Sequence, residues 1–366
     1  MARMTPSAAR DIVETSAEAA IFEQPPLLVL DRLRAYLDGL GLGSGPVAAS
    51  VIGEGRSNFT FLIERDDERF VLRRPPRPPY PPSAHDVARE ARLQVALGPL
   101  GIRVPIVRGI CEDVRVLGVP FYLMDFIHGD VVTDRLPPLL AQDEAARRRL
   151  GEDMVSVLAE IHACDVGAPA LAPFLRPGNY LERQVRRFTE LWPRNATREI
   201  PDVVEAARRL VSDPPAAVSP SIVHGDFRLG NMIVAADDPT RIVAALDWEM
   251  GAIGDPRADV GYLLATYVEP GAARRLVVGS DATDVPGFPS KSDLVERYIQ
   301  LTGRDLDRLD WFVGFALWKA AVFCEAIYGR YLRGELAEGD ESAEVFREGV
   351  PVMAAAALRA LDEDRI

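Results

Sequence analysis

Between Ile222 and Val234 the chain reads IVHGDFRLGNMIV. Three polar side chains, His224, Asp226 and Asn231, are closed in by apolar neighbours on both sides. A solvated loop has no use for Ile222, Val223, Met232, Ile233 and Val234, so the polar group has to be held on a buried frame. Any fold for this sequence must supply that frame.

At 366 residues the chain exceeds one ordinary core, so two domains or lobes are expected. With 48% hydrophobic and 27% charged residues it has the composition of a globular chain. A net charge of −13 argues against nucleic acid as a partner, since such binders carry a basic face. Cys111, Cys164 and Cys324 are odd in number, far apart and in no metal-ligand spacing, which points to reduced thiols in a cytoplasmic compartment. The N-terminal stretch lacks the apolar run of a secretion signal. The most apolar segment, starting at Trp311, is interrupted by Lys319 and Glu325, so a buried helix is expected there and no membrane span. Of 42 basic residues only Lys291 and Lys319 are lysines, so arginine is the usual cation wherever chemistry needs one.

Periodicity divides the chain. Residues 1–26 form a loosely held lead-in by this reading, and PLLVLDRLRAYLDGLGLG has helical spacing ending at a glycine stop. From Pro46 the period changes to two: NFTFLIERDDERFVLRR alternates Phe59, Phe61 and Ile63 against Thr60 and Leu62, with a hairpin turn at Asp66-Asp67. PPRPPYPPS is a stiff loop, and Ser83 with Asp86 resembles a capping box for a helix carrying Val87, Ala91 and Val95. VRVLGVPFYLMDFI is expected to contain a strand, and the remainder to be mostly helical with one strand pair around 222–247. The expected fold is α+β and bilobal: a small antiparallel-sheet lobe over 27–124, a hinge at 125–128, and a larger, mainly helical lobe over 129–366.

The chemistry follows from spacing. His224, Asp226 and Asn231 reproduce the separation of the phosphoryl-transfer loop H-R-D-x-x-x-x-N, with glycine for arginine; in that loop the aspartate takes the hydroxyl proton and the asparagine holds a magnesium ion. Magnesium prefers hard oxygen ligands, and Asp247, at the end of the apolar run VAALD, is the expected second one. The similar FIHGDVV, with His128 and Asp130, has Arg135 where a ligand is needed and fails the test. In the first lobe, Gly55, Ser57 and Asn58 stand where a phosphate-covering turn belongs. Arg73 closes the next strand as the phosphate cation, with Glu90 on the following helix to position it, and Arg74 falls on the opposite strand face. Asp125 and Ile127 offer main-chain groups to an adenine. Asp255 and Asp259 are expected to cap a helix or brace the catalytic loop. His162, Trp311, Phe315 and Trp318 are expected to be packed into the frame.

HGDFRLGN, LDWEMGAIGDPRADVGYLL, LAEIHACD and FVLRRPP together closely resemble the aminoglycoside phosphotransferase and choline kinase superfamily, which has the protein-kinase-like fold. Within it the chain is most similar to the branch found with acyl-CoA dehydrogenases, over about residues 30–340. The resemblance implies transfer of the γ-phosphoryl group of ATP to a hydroxyl of a small molecule. Asp226 is then the base, and Asn231 and Asp247 are the Mg2+ ligands. Arginine at the strand cation is common in that branch. The branch points to a hydroxyacyl compound or CoA thioester as acceptor in preference to an aminoglycoside. The alternative is a catalytically silent nucleotide-binding module, motivated by arginine at position 73. Nothing in the sequence specifies an oligomeric state.

Overall fold

The computed structural model describes residues 11–52, 58–77, 85–133, 135–271, 281–335 and 340–362. The chain divides into two units, Met1–His128 and Gly129–Ile366. Strand alternation builds the first. A five-stranded antiparallel sheet runs in the order Ala48–Val51, Phe59–Arg65, Glu68–Arg74, Phe121–Asp125, Val107–Cys111. Its second and third strands turn at Asp66, which adopts φ 51° while its carboxylate accepts the amide and hydroxyl of Ser44. Period two sends Phe61, Ile63, Phe70, Leu72, Phe121 and Leu123 to one face, against the helix Leu30–Leu40. It sends Val71, Tyr122 and Met124 to the other face, against the helix Val87–Leu97.

The same alternation separates the two arginines that end the third strand. Arg74 donates to the Leu27 and Leu117 carbonyls under the first face. Arg73 lies beside Glu90 on the second face, its Nε 3.6 Å from Oε1.

Two local expectations differ from the structure. Residues 11–26 are not a loose lead-in: Ile12–Val13 pairs in parallel with Leu28–Val29, and Asp31 accepts both the amide and the hydroxyl of Ser16. Two backbone pairs and one partly buried carboxylate contact outweigh a composition that looks like linker. The helix after the proline run is capped by Asp86 itself, whose side chain accepts the Arg89 amide; Ser83, the expected cap, lies outside the described residues. The strand expected within residues 114–127 is present as Phe121–Asp125, after a single helical turn Val114–Leu117 between an Asp113 cap and Gly118 at φ 82°.

The second unit is mainly helical and carries two small sheets, where one strand pair was expected. Met232–Ala235 lies between Ile242–Ala245 and Gly129–Val131, and Ser221–Val223 pairs with Ala252–Gly254. The HGD sequence at 128–130 is thus largely sheet edge. The helix Leu309–Leu332 is long and apolar enough to cross a membrane, yet 78% of its apolar window is buried inside the protein. It fills the core beside the helix Arg257–Thr266, and the two approach so closely that a Cβ on Gly261 would lie 2.6 Å from the Phe312 carbonyl carbon.

Gly261→Ala is therefore expected to destabilise the protein by about 2 kcal/mol through overpacking of this helix pair. Chemical denaturation of the variant beside the wild type measures the loss.

Candidate active site

The strand Ser221–Val223 delivers the chain into the loop that carries His224, Gly225 and Asp226. Gly225 sits at φ 87°, and a Cβ there would come 2.7 Å from that of Met250, so only glycine fits. The loop's backbone is held from below by one fully buried carboxylate. Asp259, on the helix Arg257–Thr266, accepts the His224 amide at 2.6 Å and the Gly225 amide at 2.7 Å, and faces His162 Nε2 at 3.2 Å. The Tyr298 hydroxyl lies 2.7 Å from the other ring nitrogen of His162. Burial pushes the Asp259 carboxyl up, but the hydrogen bonds from His162 and from the Gly225 amide are among the contacts that outweigh it and hold the group below its ordinary value.

His224 is an internal strut. Its Nδ1 accepts the Asp226 amide at 3.3 Å and its Nε2 is 2.8 Å from the Leu246 carbonyl, which together describe a neutral imidazole protonated on Nε2. Leu246 in turn donates its amide to the Asn231 carbonyl at 2.8 Å, so the loop and the end of the hairpin are locked to each other one residue before Asp247. Asp247 adopts a left-handed conformation, φ 64° and ψ 59°, which aspartate tolerates better than most residues.

Asn231 donates its side-chain amide to the Asp226 carbonyl at 2.8 Å and to Asp226 Oδ2 at 2.9 Å. One Asp226 oxygen is thereby pinned. The other, Oδ1, is buried and accepts no hydrogen bond from the described residues, with Arg228 Nε 3.6 Å away. Because the Asn231 nitrogen faces Asp226, its Oδ1 turns the other way. Among the described residues no three His, Cys, Asp or Glu side chains form a metal-binding group. One amide oxygen and one carboxylate, from Asn231 and Asp247, still suit magnesium, which takes one or two protein ligands and completes its shell with phosphate and water.

In the first unit, Glu90 is almost wholly buried and is gripped from two sides. The Tyr122 hydroxyl donates to its Oε1 at 3.1 Å and is itself held by Gln94 at 3.0 Å, while Arg73 approaches the same oxygen. Asn58 is buried with its Oδ1 3.1 Å from His85 Nδ1. Gly55 and Ser57 lie outside the described residues. Asp125 differs from the expected role in part: its amide donates to the Ile106 carbonyl at 2.9 Å, and its carboxylate takes both Arg108 nitrogens at 2.5 and 2.8 Å. The main-chain groups of Ile127 make no backbone hydrogen bond among the described residues.

Sequence reasoning overlooked three residues around Asp226. Arg228 was inside the motif but unassigned. Tyr262 is pushed well above the ordinary tyrosine range by burial and then by the Asp226 charge. Lys319 is buried, and that burial drives its pKa down to about 8 against the pull of the Asp259 and Asp226 carboxylates. A lone lysine inside an apolar helix of a nearly lysine-free chain was the available signal.

A small antiparallel-sheet unit with an ion-paired strand arginine, followed by a helical unit with this loop and hairpin, defines the kinase-like small-molecule phosphotransferase fold. The sequence profile of the phosphotransferase enzyme family matches residues 48–311, and the chain belongs to that family. It is 33% identical over 311 residues to mouse acyl-CoA dehydrogenase family member 10, covering 83% of this chain and 29% of that protein. It is 29% identical to human acyl-CoA dehydrogenase family member 11, covering 84% of this chain and 40% of that one. The chain thus spans well under half the length of these relatives. Among solved structures it matches a Ralstonia eutropha JMP134 protein that carries the name of an aminoglycoside phosphotransferase, with TM-score 0.73 and 28% identity over 91% of this chain and 98% of the other. A spectinomycin phosphotransferase, solved with ADP and spectinomycin, shares the fold at TM-score 0.56 and 14% identity, covering 90% of this chain and 98% of that one.

Replacing Asp259 by Asn leaves one loop amide facing an NH2 group and is expected to cost about 3 kcal/mol. Because the folded carboxyl sits below its unfolded value of about 3.9, its contribution is complete above that pH and is lost as pH falls through the folded value. Asp259→Asn should therefore flatten the acid limb of a stability-versus-pH curve, which denaturant titrations at a series of pH values would measure.

Proposed function

We propose that the chain transfers the γ-phosphoryl group of ATP to a hydroxyl of a small acceptor. The observation that carries this reading is the division of labour within one carboxylate: Asn231 fixes Asp226 Oδ2, and the buried Oδ1 accepts no hydrogen bond from the described residues. That oxygen takes the proton of the acceptor hydroxyl as the acceptor oxygen bonds to phosphorus and the bond from phosphorus to the ADP oxygen breaks. Asn231 and Asp247 hold the magnesium ion, whose charge offsets that of the phosphates. Arg73, oriented by Glu90, binds phosphate; Gly55, Ser57 and Asn58 cover it; and main-chain groups at Asp125 and Ile127 take the base. In this reading 27–124 is the nucleotide-binding part, 125–128 the connector and 129–366 the catalytic and acceptor-binding part.

Kinship with acyl-CoA dehydrogenase family members supports a hydroxyacyl compound or its CoA thioester as acceptor ahead of an aminoglycoside. The three free cysteines fit a reducing compartment, and we place the reaction in the cytoplasm.

Asp226→Ala should lower kcat about a thousandfold while ATP still raises the melting temperature. Steady-state assays over a panel of hydroxylated metabolites measure the first, thermal-shift assays the second, and unchanged turnover would overturn the assignment. Arg73→Met should raise the KM for ATP by about tenfold or more, since a charged phosphate contact is lost. Chelating magnesium with EDTA should stop transfer in the wild type, and excess magnesium should restore it.

A further inference from the structure

Behind Arg73 the first unit buries a small polar network. Arg73 and Tyr122 stand directly opposite each other on adjacent antiparallel strands, so both side chains point to the same face of the sheet. Glu90 and Gln94 lie one turn apart on the helix Val87–Leu97, which covers that face. Tyr122 has no exposure, and Glu90 and Gln94 have almost none. Groups this polar are buried together only when hydrogen bonds order them.

The order has a direction. Gln94 donates its side-chain amide to the Tyr122 oxygen at 3.0 Å, and Tyr122 gives its single proton to Glu90 Oε1 at 3.1 Å. The chain of donors thus ends on the same oxygen that Arg73 approaches through Nε at 3.6 Å. Turning the Gln94 nitrogen towards Tyr122 leaves Gln94 Oε1 buried with no hydrogen-bond partner among the described residues. A core selected for stability alone has no reason to bury an acceptor unmet. The cation explains the arrangement. A glutamate has several rotatable bonds and can meet a guanidinium in several ways. With Oε1 held by Tyr122, the carboxylate meets Arg73 at Nε, the nitrogen nearest the backbone. The terminal nitrogens of an arginine are separate donors whose fork matches phosphate oxygens, whereas a lysine has one nitrogen for both tasks.

We infer that Tyr122 and Gln94 are positioning residues: they set the Glu90 carboxylate against Nε of Arg73 and so direct the terminal fork of the guanidinium to the nucleotide phosphates. This rests on the reading of Arg73 as the phosphate cation and adds the residues that let an arginine fill that place. Both act only through Arg73. A tyrosine and a glutamine present only to fill the core would leave phosphate recognition unchanged when their polar groups are removed.

The test is calorimetric binding of ATP and of adenosine, which lacks the phosphates, with melting temperatures to confirm folding. Tyr122→Phe keeps the ring and removes the hydroxyl, and Gln94→Met keeps the length and removes the donor. Tyr122→Phe should weaken ATP about tenfold and Gln94→Met about threefold, while adenosine affinity stays within about twofold. Combined with Arg73→Met, neither replacement should weaken ATP further. Adenosine weakened as much as ATP, ATP affinity unchanged in either folded variant, or losses that add to that of Arg73→Met overturn the inference. If Arg73→Met binds ATP as tightly as the wild type, the reading of Arg73 fails and this inference fails with it. If Arg73→Met weakens ATP and Tyr122→Phe does not, this inference alone fails.

Discussion

One buried carboxylate organises the second unit. Asp259 accepts two consecutive backbone amides of the loop and faces a histidine from the helix Glu144–Ala163, so three separate chain segments meet at its two oxygens. An ionised aspartate with no exposure survives only when its lone pairs are filled this completely. The loop's backbone is then not free to relax, and the direction of the Asp226 side chain is set before any ligand arrives. Preorganisation of this kind is what lets a carboxylate work on a developing charge without reorganising at the moment of reaction.

A second layer repeats the logic. His224 spends both ring nitrogens on the backbone, Asn231 spends its amide on Asp226, and the Asn231 carbonyl takes the Leu246 amide. Each polar group of the motif thus restrains another, and the group left over is Asp226 Oδ1 among the described residues. Helix-to-helix contact supplies the remaining frame: Arg257 reaches Asp255, Asp307 and the Ala216 carbonyl while its guanidinium lies 4.7 Å from the Phe312 ring centre. Asp255 therefore anchors an arginine and Asp259 anchors a loop. The two aspartates of GDPRAD divide between them the bracing expected of both.

Much of this was legible because it is encoded locally. Strand alternation predicted opposite directions for Arg73 and Arg74, since period two is a property of the extended backbone and needs no partner to be true. The apolar flanks of the 222–234 stretch predicted a buried frame, and the two short sheets around it provide one. The lead-in was misjudged because Ile12–Val13 acquires its meaning from Leu28–Val29, a pairing that composition cannot reveal. Tyr262 was given no role for a similar reason: it is ordinary in its own helix, and its surroundings come from elsewhere in the chain.

The sequence by itself determined the kinds of chemistry available: an aspartate and an asparagine at a spacing suited to proton acceptance and metal binding, a strand arginine, and a near absence of lysine. These follow from residue identity and short-range periodicity, which act within a few residues along the chain. Tertiary structure alone decided which carboxylate would be filled as a brace and which would keep an oxygen that accepts no hydrogen bond from the described residues. It also decided that the lysine of the apolar helix Leu309–Leu332 would be buried between the rings of Phe188 and Phe315. Burial, and the electrostatics that depend on it, is a property of what surrounds a side chain, and no local reading of sequence contains the surroundings.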